Sequence, residues 1–292
     1  MTTLGLVQIL YVALAVVMAG LGLSLHWDDF VHLRSQSKGA VVALVLQMVV
    51  LPSLAIALIA AFRLDGYMAV GMVLLAATPG SITANLFSHL FGGDVAFNIA
   101  LTGINTLLCA LALPFLGTWA MGHYVGVTDQ SLPVLGGRAM QTVIIIVLPV
   151  LVGMGIAAKA PRIAKSMDRP VKALSAILLI TASVVAVVLE WHTLVRGFSR
   201  VGVAVLIFNG ASLLMGLLVG RAYGLSASIC TTIAFQVSIH NAIQAIYVGI
   251  AVLHETIAAL PAAIYSISMN FIALGFGLLM LAVKRRPLKG TS

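Results

Sequence analysis

Nine long apolar runs constrain this chain more than any other feature. A helix needs about 20 apolar residues to cross the ~30 Å hydrocarbon core of a bilayer. The runs cover roughly 3–25, 39–62, 66–90, 94–121, 132–158, 171–190, 201–220, 225–252 and 256–283. They are far too long and too uniformly apolar for barrel strands, and backbone in lipid must satisfy its own hydrogen bonds. The sequence therefore predicts an all-α polytopic membrane protein, a single unit over 1–292 with nine transmembrane helices.

Composition excludes a water-soluble domain. Of the 292 residues, 61% are hydrophobic and 8% are charged, whereas soluble domains carry about 25% charged residues. The net charge of +8 could indicate nucleic-acid binding, but no basic stretch has interleaved aromatics or a nucleic-acid motif. The expected surroundings are membrane lipid, with no nucleic acid and no obligatory protein partner.

The basic residues between the runs predict orientation, because cytoplasmic loops carry the excess of Lys and Arg. One set of gaps holds twelve of them and the other set holds four. The richer set is Arg34, Lys38, Lys159, Arg162, Lys165, Arg169, Lys172, Arg221, Lys284, Arg285, Arg286 and Lys289. The poorer set is Arg63, Arg138, Arg196 and Arg200. This distribution predicts an N-terminus outside and a C-terminus in the cytoplasm.

With that orientation, predicted helices 1–4 run opposite to predicted helices 6–9, which is the inverted-repeat plan of secondary transporters. Two of the nine are interrupted by polar residues at corresponding positions. Predicted helix 3 contains Thr78-Pro79-Gly80-Ser81-Ile82-Thr83-Ala84-Asn85, and predicted helix 8 contains Gln236-Val237-Ser238-Ile239-His240-Asn241. Such paired interruptions indicate a transport site. The alternative is that these polar residues only hold helices together.

Other polar residues sit inside the apolar runs. Asn98, Thr102 and Asn105 share one face of predicted helix 4, whereas Gln47 and Asn270 fit a packing role as well as a ligand role. His240 is the only ionisable residue deep in the proposed site, which makes it a functional candidate. All eight acidic residues lie at or near helix ends, among them Asp129 and Glu190. With no catalytic or metal-binding constellation, we expect neither an enzyme nor a cofactor.

The stretches Ala77-Thr78-Pro79-Gly80 through Asn85 and Thr232-Ile233-Ala234-Phe235-Gln236-Val237 through Asn241 resemble the bile acid:sodium symporter family, in its nine-helix variant. The resemblance implies a core domain, in which broken helices 3 and 8 cross near the midplane, and a panel domain. In this chain the core would cover about 39–121 and 201–283, and the panel about 1–38 and 132–190. The expected location is the inner (cytoplasmic) membrane of a bacterium, in a multi-pass arrangement.

The resemblance implies secondary active transport of an organic anion by alternating access. The substrates of similar proteins are bile acids or smaller acids such as pantoate and keto acids, usually moved with sodium. The polar head of the anion would bind near Ser81, Thr83 and Asn241, with Asn270 and His240 as further candidates. A channel, an intramembrane enzyme and a receptor remain the competing classes. A channel would show a continuous polar pore stripe or a filter motif.

The resemblance also assigns sodium-ligand positions, which are Gln47, Ala84, Asn85, Asn98, Thr102, Gln236, Val237, Ile239 and His240. Alanine stands at position 84 and asparagine at position 98 where serines are expected. Gln236 replaces a glutamate shared by two sodium sites, and His240 replaces a glutamine. Loss of that charge is expected to weaken sodium binding by ~1–3 kcal/mol per site, about 5- to 150-fold. The hypothesis is that sodium coupling is weak or lost, with His240 offering proton coupling or a hydrogen bond to the substrate. The alternative is a sodium-coupled bile-acid-type symporter with altered ion sites.

Overall fold

The computed structural model describes residues 3–25, 27–127, 132–189 and 191–285. Its α-helices are α1 (Thr3–Ser24), α2 (Trp27–Ser35), α3 (Ser37–Val45), α4 (Leu51–Phe62), α5 (Gly66–Ala76), α6 (Ile82–Leu90), α7 (Val95–Ala120), α8 (Leu132–Lys159), α9 (Pro161–Leu189), α10 (Trp191–Ala222), α11 (Ala227–Ser238), α12 (Ala242–Tyr247) and α13 (Leu260–Arg285). π-Helical turns cover Leu46–Val50, Met121–Val125 and Val248–Val252, and a 3₁₀ turn covers Ile257–Ala259. The predictions made for Asp129, Glu190, Arg286, Lys289 and the two chain ends lie outside the described residues.

Four described helical stretches are long and apolar enough to cross a membrane. They are Ser37–Phe62, Val95–Val125, Val201–Ala222 and Ile257–Val283. Shorter apolar helices are Leu10–Ser24, Gly66–Ala76, Val143–Lys159, Ala227–Ser238 and Ala242–Val252. Gly66–Ala76, Ala227–Ser238 and Ala242–Val252 are parts of the two interrupted helices, which explains why they fall short of a full span. This apolar, helical architecture agrees with the predicted class of all-α membrane protein.

Three helical segments extend beyond the apolar runs. Helix α2 was not predicted, because a search for apolar runs cannot find a helix with Asp28 and Asp29 in its first turn and Arg34 in its last. That charge order suits the helix dipole. Helix α9 begins at Pro161 rather than at 171, with the proline in the first helical position that favours it. Helix α10 begins at Trp191 rather than at 201. The predicted gaps at 159–170 and 191–200 are thus largely helical.

Helix α1 packs mainly against α8 and α9. Two glycines bring the α1 and α8 backbones together. A Cβ atom on Gly22 would lie 2.1 Å from the Val150 carbonyl oxygen, and one on Gly153 would lie 2.3 Å from the Ala19 carbonyl oxygen. Small residues allow this close approach where lipid provides no hydrophobic drive for helix association.

The two interrupted helices lie in the interior of the protein. Every residue from Ala69 to Gly80 and from Ile229 to Ile250 is buried. Large side chains fill the space around them, including Tyr265 of α13 and Phe208 of α10, both fully buried. The polar segments predicted to form a site therefore occupy the centre of the packed helices rather than a lipid-facing surface.

Candidate functional site

The interruptions of the two helices cross and pair with each other. The Ser81 N–H donates to the Ile239 carbonyl at 2.7 Å, and the Asn241 N–H donates to the Pro79 carbonyl at 2.8 Å. Gly80 and His240 face each other between these bonds as an isolated antiparallel bridge. The two breaks thus satisfy each other's backbone groups, which buried peptide groups require. The second break needs no Pro or Gly, because residues of the first break supply hydrogen-bond partners for its backbone N–H and carbonyl groups.

Gly80 permits this crossing. A Cβ atom at this position would lie 2.3 Å from Gln236 Nε2 and 2.7 Å from the Gln236 backbone oxygen. Its backbone conformation is not left-handed, so the requirement for glycine comes from the close approach of α11. The sequence signal at Pro79-Gly80 reflects both a broken helix and a contact point.

Each half-helix that leaves the crossing has a polar cap at its first turn. Ser81 Oγ accepts weakly from the Thr83 N–H at 3.4 Å and caps α6. Asn241 Oδ1 accepts from the Gln244 N–H at 3.3 Å and caps α12, which runs on into the π-helical turn Val248–Val252. The first N–H groups of a helix lack intrahelical partners and form its positive end. Two such ends therefore start at the crossing.

The two sides of the crossing are covered unequally. Ser81 and Thr83 are half-buried, whereas Asn241 is 6% exposed and Gln244 is fully buried. Helix α12 packs against α1 and α9, and Tyr247 contacts Tyr11 of α1 with ring centroids 6.5 Å apart. The α6 side is therefore the less covered side.

His240 belongs to a group of side chains that we term the histidine network: Gln47, Thr78, His240, Phe208 and Tyr265. The Thr78 carbonyl accepts from His240 Nδ1 at 3.0 Å and from Gln47 Nε2 at 2.9 Å. Since a carbonyl only accepts, Nδ1 carries the proton. The imidazole contacts the Phe208 and Tyr265 rings at centroid distances of 5.6 and 5.4 Å, and the Tyr265 hydroxyl donates to the Ser238 carbonyl.

A second group of buried polar side chains is termed the amide network: Ser88, Asn98, Thr102 and Gln236. Asn98 Nδ2 donates to Ser88 Oγ at 2.9 Å. The Thr102 hydroxyl reaches Gln236 Oε1 at 3.0 Å and the Asn98 carbonyl at 2.8 Å. All four side chains are fully buried. The amide network joins α6, α7 and α11.

Several buried polar atoms in these networks and in the adjoining helix α6 have no hydrogen-bond partner among the described residues. They are Gln47 Oε1, Asn85 Oδ1, Asn98 Oδ1, Gln236 Nε2 and His240 Nε2. Leaving a buried polar group unsatisfied costs about 1–3 kcal/mol. Such a concentration of unsatisfied atoms is more typical of a binding site than of packing.

The predicted site residues do not all come together. Gln47, Asn98, Thr102, Gln236 and His240 belong to the two networks. Asn270 instead donates to the Ser266 carbonyl within its own helix at 3.1 Å. Sequence reasoning missed the buried Asn209 and Gln244, whose amide atoms also lack partners among the described residues. Both are polar residues inside apolar runs, which was the available signal. The aromatic partners Phe208 and Tyr265 carried no signal in the sequence.

The sodium-ligand positions fit a sodium ion poorly in the histidine network. Sodium prefers oxygen ligands, but here the Gln47 amide nitrogen and His240 Nδ1 both point as donors at the Thr78 carbonyl. The Ile239 carbonyl already accepts from the Ser81 N–H. Unpartnered amide oxygens occur in both places: Gln47 Oε1 in the histidine network, and Asn98 Oδ1 in the amide network with Asn85 Oδ1 on α6. Gln236 brings no charge to either network, and Ala84 brings no side-chain oxygen.

The sequence pattern of the sodium bile acid symporter family matches residues 11–197. An uncharacterised sodium-dependent transporter of Bacillus subtilis is 26% identical over 261 residues, covering 88% of this chain and 78% of that protein. A probable sodium/metabolite cotransporter of Arabidopsis thaliana chloroplasts is 22% identical over 256 residues, covering 88% of this chain and 62% of that protein.

Similarity extends to an animal protein. The human ileal sodium/bile acid cotransporter is 24% identical over 233 residues. The aligned part covers 80% of this chain and 66% of the human protein. These relatives come from a bacterium, a plant and an animal, and each of them is named for transport.

Proposed function

Because the chain belongs to the sodium bile acid symporter family, we propose that it is a secondary transporter that carries a small organic carboxylate by alternating access. The pairing of the two interrupted helices is the observation that carries this proposal. The carboxylate would bind where α6 and α12 begin, near Ser81, Thr83 and Asn241. Membership of a transporter family also agrees with the expectation that the chain is not an enzyme.

Electrostatics favour an anion at this place. A helix N-terminus is a ready anion site, because its free N–H groups and its dipole both attract negative charge. The described residues of the two interrupted helices include no Lys or Arg between Gly66 and Leu90 or between Ala227 and Val252. The anion would thus be held by backbone and hydroxyl donors. Burying these neutral groups costs less desolvation free energy than burying a Lys or Arg side chain.

The wider architecture belongs to the same proposal. Nine transmembrane helices in two inverted repeats, 1–4 and 6–9, would leave α1, α8 and α9, with the short helix α2, as the panel and the remaining helices as the core. The close packing of α1 on α8 and α9 supports that division. Motion between the two parts would expose the crossing alternately to the two sides.

We propose an orientation with residues 159–172 in the cytoplasm and residues 122–131 outside. The test is cysteine labelling in intact cells, in a background where Cys109 and Cys230 are replaced by alanine. Lys165→Cys is expected to resist a membrane-impermeant maleimide, and Gly126→Cys is expected to react with it. Reaction of Lys165→Cys from outside together with protection of Gly126→Cys would overturn the proposed orientation and the inverted repeat with it.

Removing a hydroxyl at the crossing should weaken uptake. Thr83→Val keeps the side-chain shape but deletes a donor from the half-buried first turn of α6. A hydrogen bond to a charged group contributes ~1.5–3 kcal/mol, so uptake at low substrate should fall about tenfold or more. The measurement is uptake of radiolabelled bile acids, pantoate and keto acids into cells, corrected for the amount of inserted protein.

Thr231→Val is the matched control for Thr83→Val. The Thr231 hydroxyl donates to the Ala227 carbonyl of its own helix at 2.8 Å and does not reach the crossing. Uptake by Thr231→Val should therefore stay near that of the wild type. Wild-type uptake by Thr83→Val across all of these acids would place the anion elsewhere.

The names of the relatives favour a second candidate, a sodium-coupled symporter with altered ion sites. The Bacillus subtilis relative is described as sodium-dependent, and the amide oxygens of Gln47, Asn85 and Asn98, which lack partners among the described residues, could coordinate a cation. The neutral Gln236 and the donors of the histidine network favour the first candidate, in which sodium coupling is weak or lost. Proton coupling through His240 would take its place in that case.

A further inference from the structure

We infer that the His240 side chain stands in for a cation between the two interrupted helices, so that at most one sodium ion accompanies each anion. This inference rests on the transport function proposed above. It concerns the histidine network alone, and a single weakly bound ion would lie at the amide network.

The carbonyl groups at the crossing accept hydrogen bonds from the protein itself. The last carbonyls of an interrupted helix lack intrahelical partners and carry the negative end of its dipole. In this structure the carbonyls of Thr78 and Pro79, which follow the end of α5, and those of Ser238 and Ile239, at the end of α11, each accept a hydrogen bond from an N–H or O–H group of the chain. His240 and Gln47 donate to the Thr78 carbonyl, and Asn241 donates to the Pro79 carbonyl. Tyr265 donates to the Ser238 carbonyl, and Ser81 donates to the Ile239 carbonyl. Protein donors thus satisfy groups that a bound cation would otherwise satisfy.

The imidazole of His240 lies between the two interrupted helices. His240 is fully buried, bonded through Nδ1 to the carbonyl at the end of the first broken helix and contacted by Phe208 and Tyr265. Because His240 itself belongs to the second broken helix, its ring links the two helices directly. A cation coordinated by both helices would make the same link.

The two networks differ in the donors that they direct at carbonyl groups. The histidine network directs two N–H donors at the Thr78 carbonyl, and Gln47 Oε1 is its oxygen without a partner among the described residues. In the amide network Asn98 Oδ1 and Gln236 Nε2 lack partners, and so does Asn85 Oδ1 of α6. The converging donors of the histidine network disfavour a cation beside them, which makes the amide network the more favourable place for an ion.

A sodium titration of the purified protein tests the inference, with choline as the replacement cation at constant ionic strength. The readouts are the thermal midpoint and the stoichiometry of bound radioactive sodium. Ligand that binds only the folded state stabilises it by mass action. Wild type should bind no more than one sodium ion per chain. Gln236→Glu should bind one ion with a Hill coefficient of about one.

His240→Gln in the Gln236→Glu background is the decisive variant. Removing the imidazole ring should free its place in the histidine network for a second sodium ion. The double variant should therefore bind two sodium ions with a Hill coefficient above one. A purely structural histidine would lower stability without changing the stoichiometry. Equal stoichiometry in Gln236→Glu and in the double variant would overturn the inference, as would two bound ions in the wild type.

If the double variant does not fold, the stoichiometry of Gln236→Glu still decides, because two sodium ions bound beside an intact His240 contradict the inference. The titration reads ion binding on purified protein and needs no transported substrate. Failure of every carboxylate to be taken up would therefore count against the proposed function and leave this result standing.

Discussion

Gly80→Ala is expected to abolish anion uptake and to destabilise the folded protein. The new methyl group would lie 2.3 Å from Gln236 Nε2 and 2.7 Å from the Gln236 backbone oxygen. The amide can swing away, but the backbone oxygen can move only if α11 withdraws from the crossing. That withdrawal would stretch the bonds from Ser81 to Ile239 and from Asn241 to Pro79.

The expected size of this effect is that of overpacking in a filled interior, ~1–3 kcal/mol. At roughly 2–4 °C per kcal/mol for a chain of this length, the thermal midpoint in detergent should fall by several degrees. Gly275→Ala is the matched control, since a Cβ there meets nothing within 4 Å and alanine suits a helix better than glycine. Normal uptake and an unchanged midpoint in Gly80→Ala would show that the two breaks do not meet as described.

Gly22→Ala is expected to disrupt the packing of α1 on α8. The added methyl group would lie 2.1 Å from the Val150 carbonyl oxygen and 2.9 Å from its carbonyl carbon. Both atoms are backbone, so no side-chain rotation relieves the clash and the two helices must separate along their contact. Since a small residue at each contact allows the helices to approach, the loss should again be ~1–3 kcal/mol.

Gly155→Ala provides the control on the partner helix. It lies two residues from Gly153 in α8, and a Cβ there meets nothing within 4 Å. The measurement is the midpoint of thermal aggregation followed by size-exclusion chromatography, with surface expression as a second readout. Gly22→Ala should lose several degrees and Gly155→Ala none. Equal behaviour of the two variants would mean that α1 and α8 do not touch at Gly22.

Much of the fold could be predicted because apolar runs report membrane helices directly. The ends of α1, α7, α8 and the continuous stretch Ser37–Phe62 fall within a few residues of the predicted limits. The charged helix α2 and the first turns of α9 were missed, since a hydropathy search is blind to helix that lies outside the apolar runs. Orientation, helix count and the inverted repeat stay predictions.

The candidate site was partly visible in the sequence. Pro79-Gly80 predicts a broken helix, because proline lacks a backbone N–H and glycine permits a non-helical backbone. The polar residues around His240 indicated the second break. The pairing of the breaks was not predictable, because it joins residues about 160 positions apart. The donors that converge on the Thr78 carbonyl were missed for the same reason. The roles of Ser81, Thr83, Asn85 and Asn270 in binding also stay predictions.

Solute counterflow in proteoliposomes tests most directly whether the crossing carries an organic anion. Vesicles with purified wild-type protein would be preloaded with an unlabelled carboxylate and diluted into a trace of the labelled one, in parallel with its methyl ester. We expect transient accumulation of labelled carboxylate, with no accumulation of the ester and none in vesicles that contain Gly80→Ala. Equal counterflow of acid and ester, or of wild type and Gly80→Ala, would contradict an anion site at the crossing.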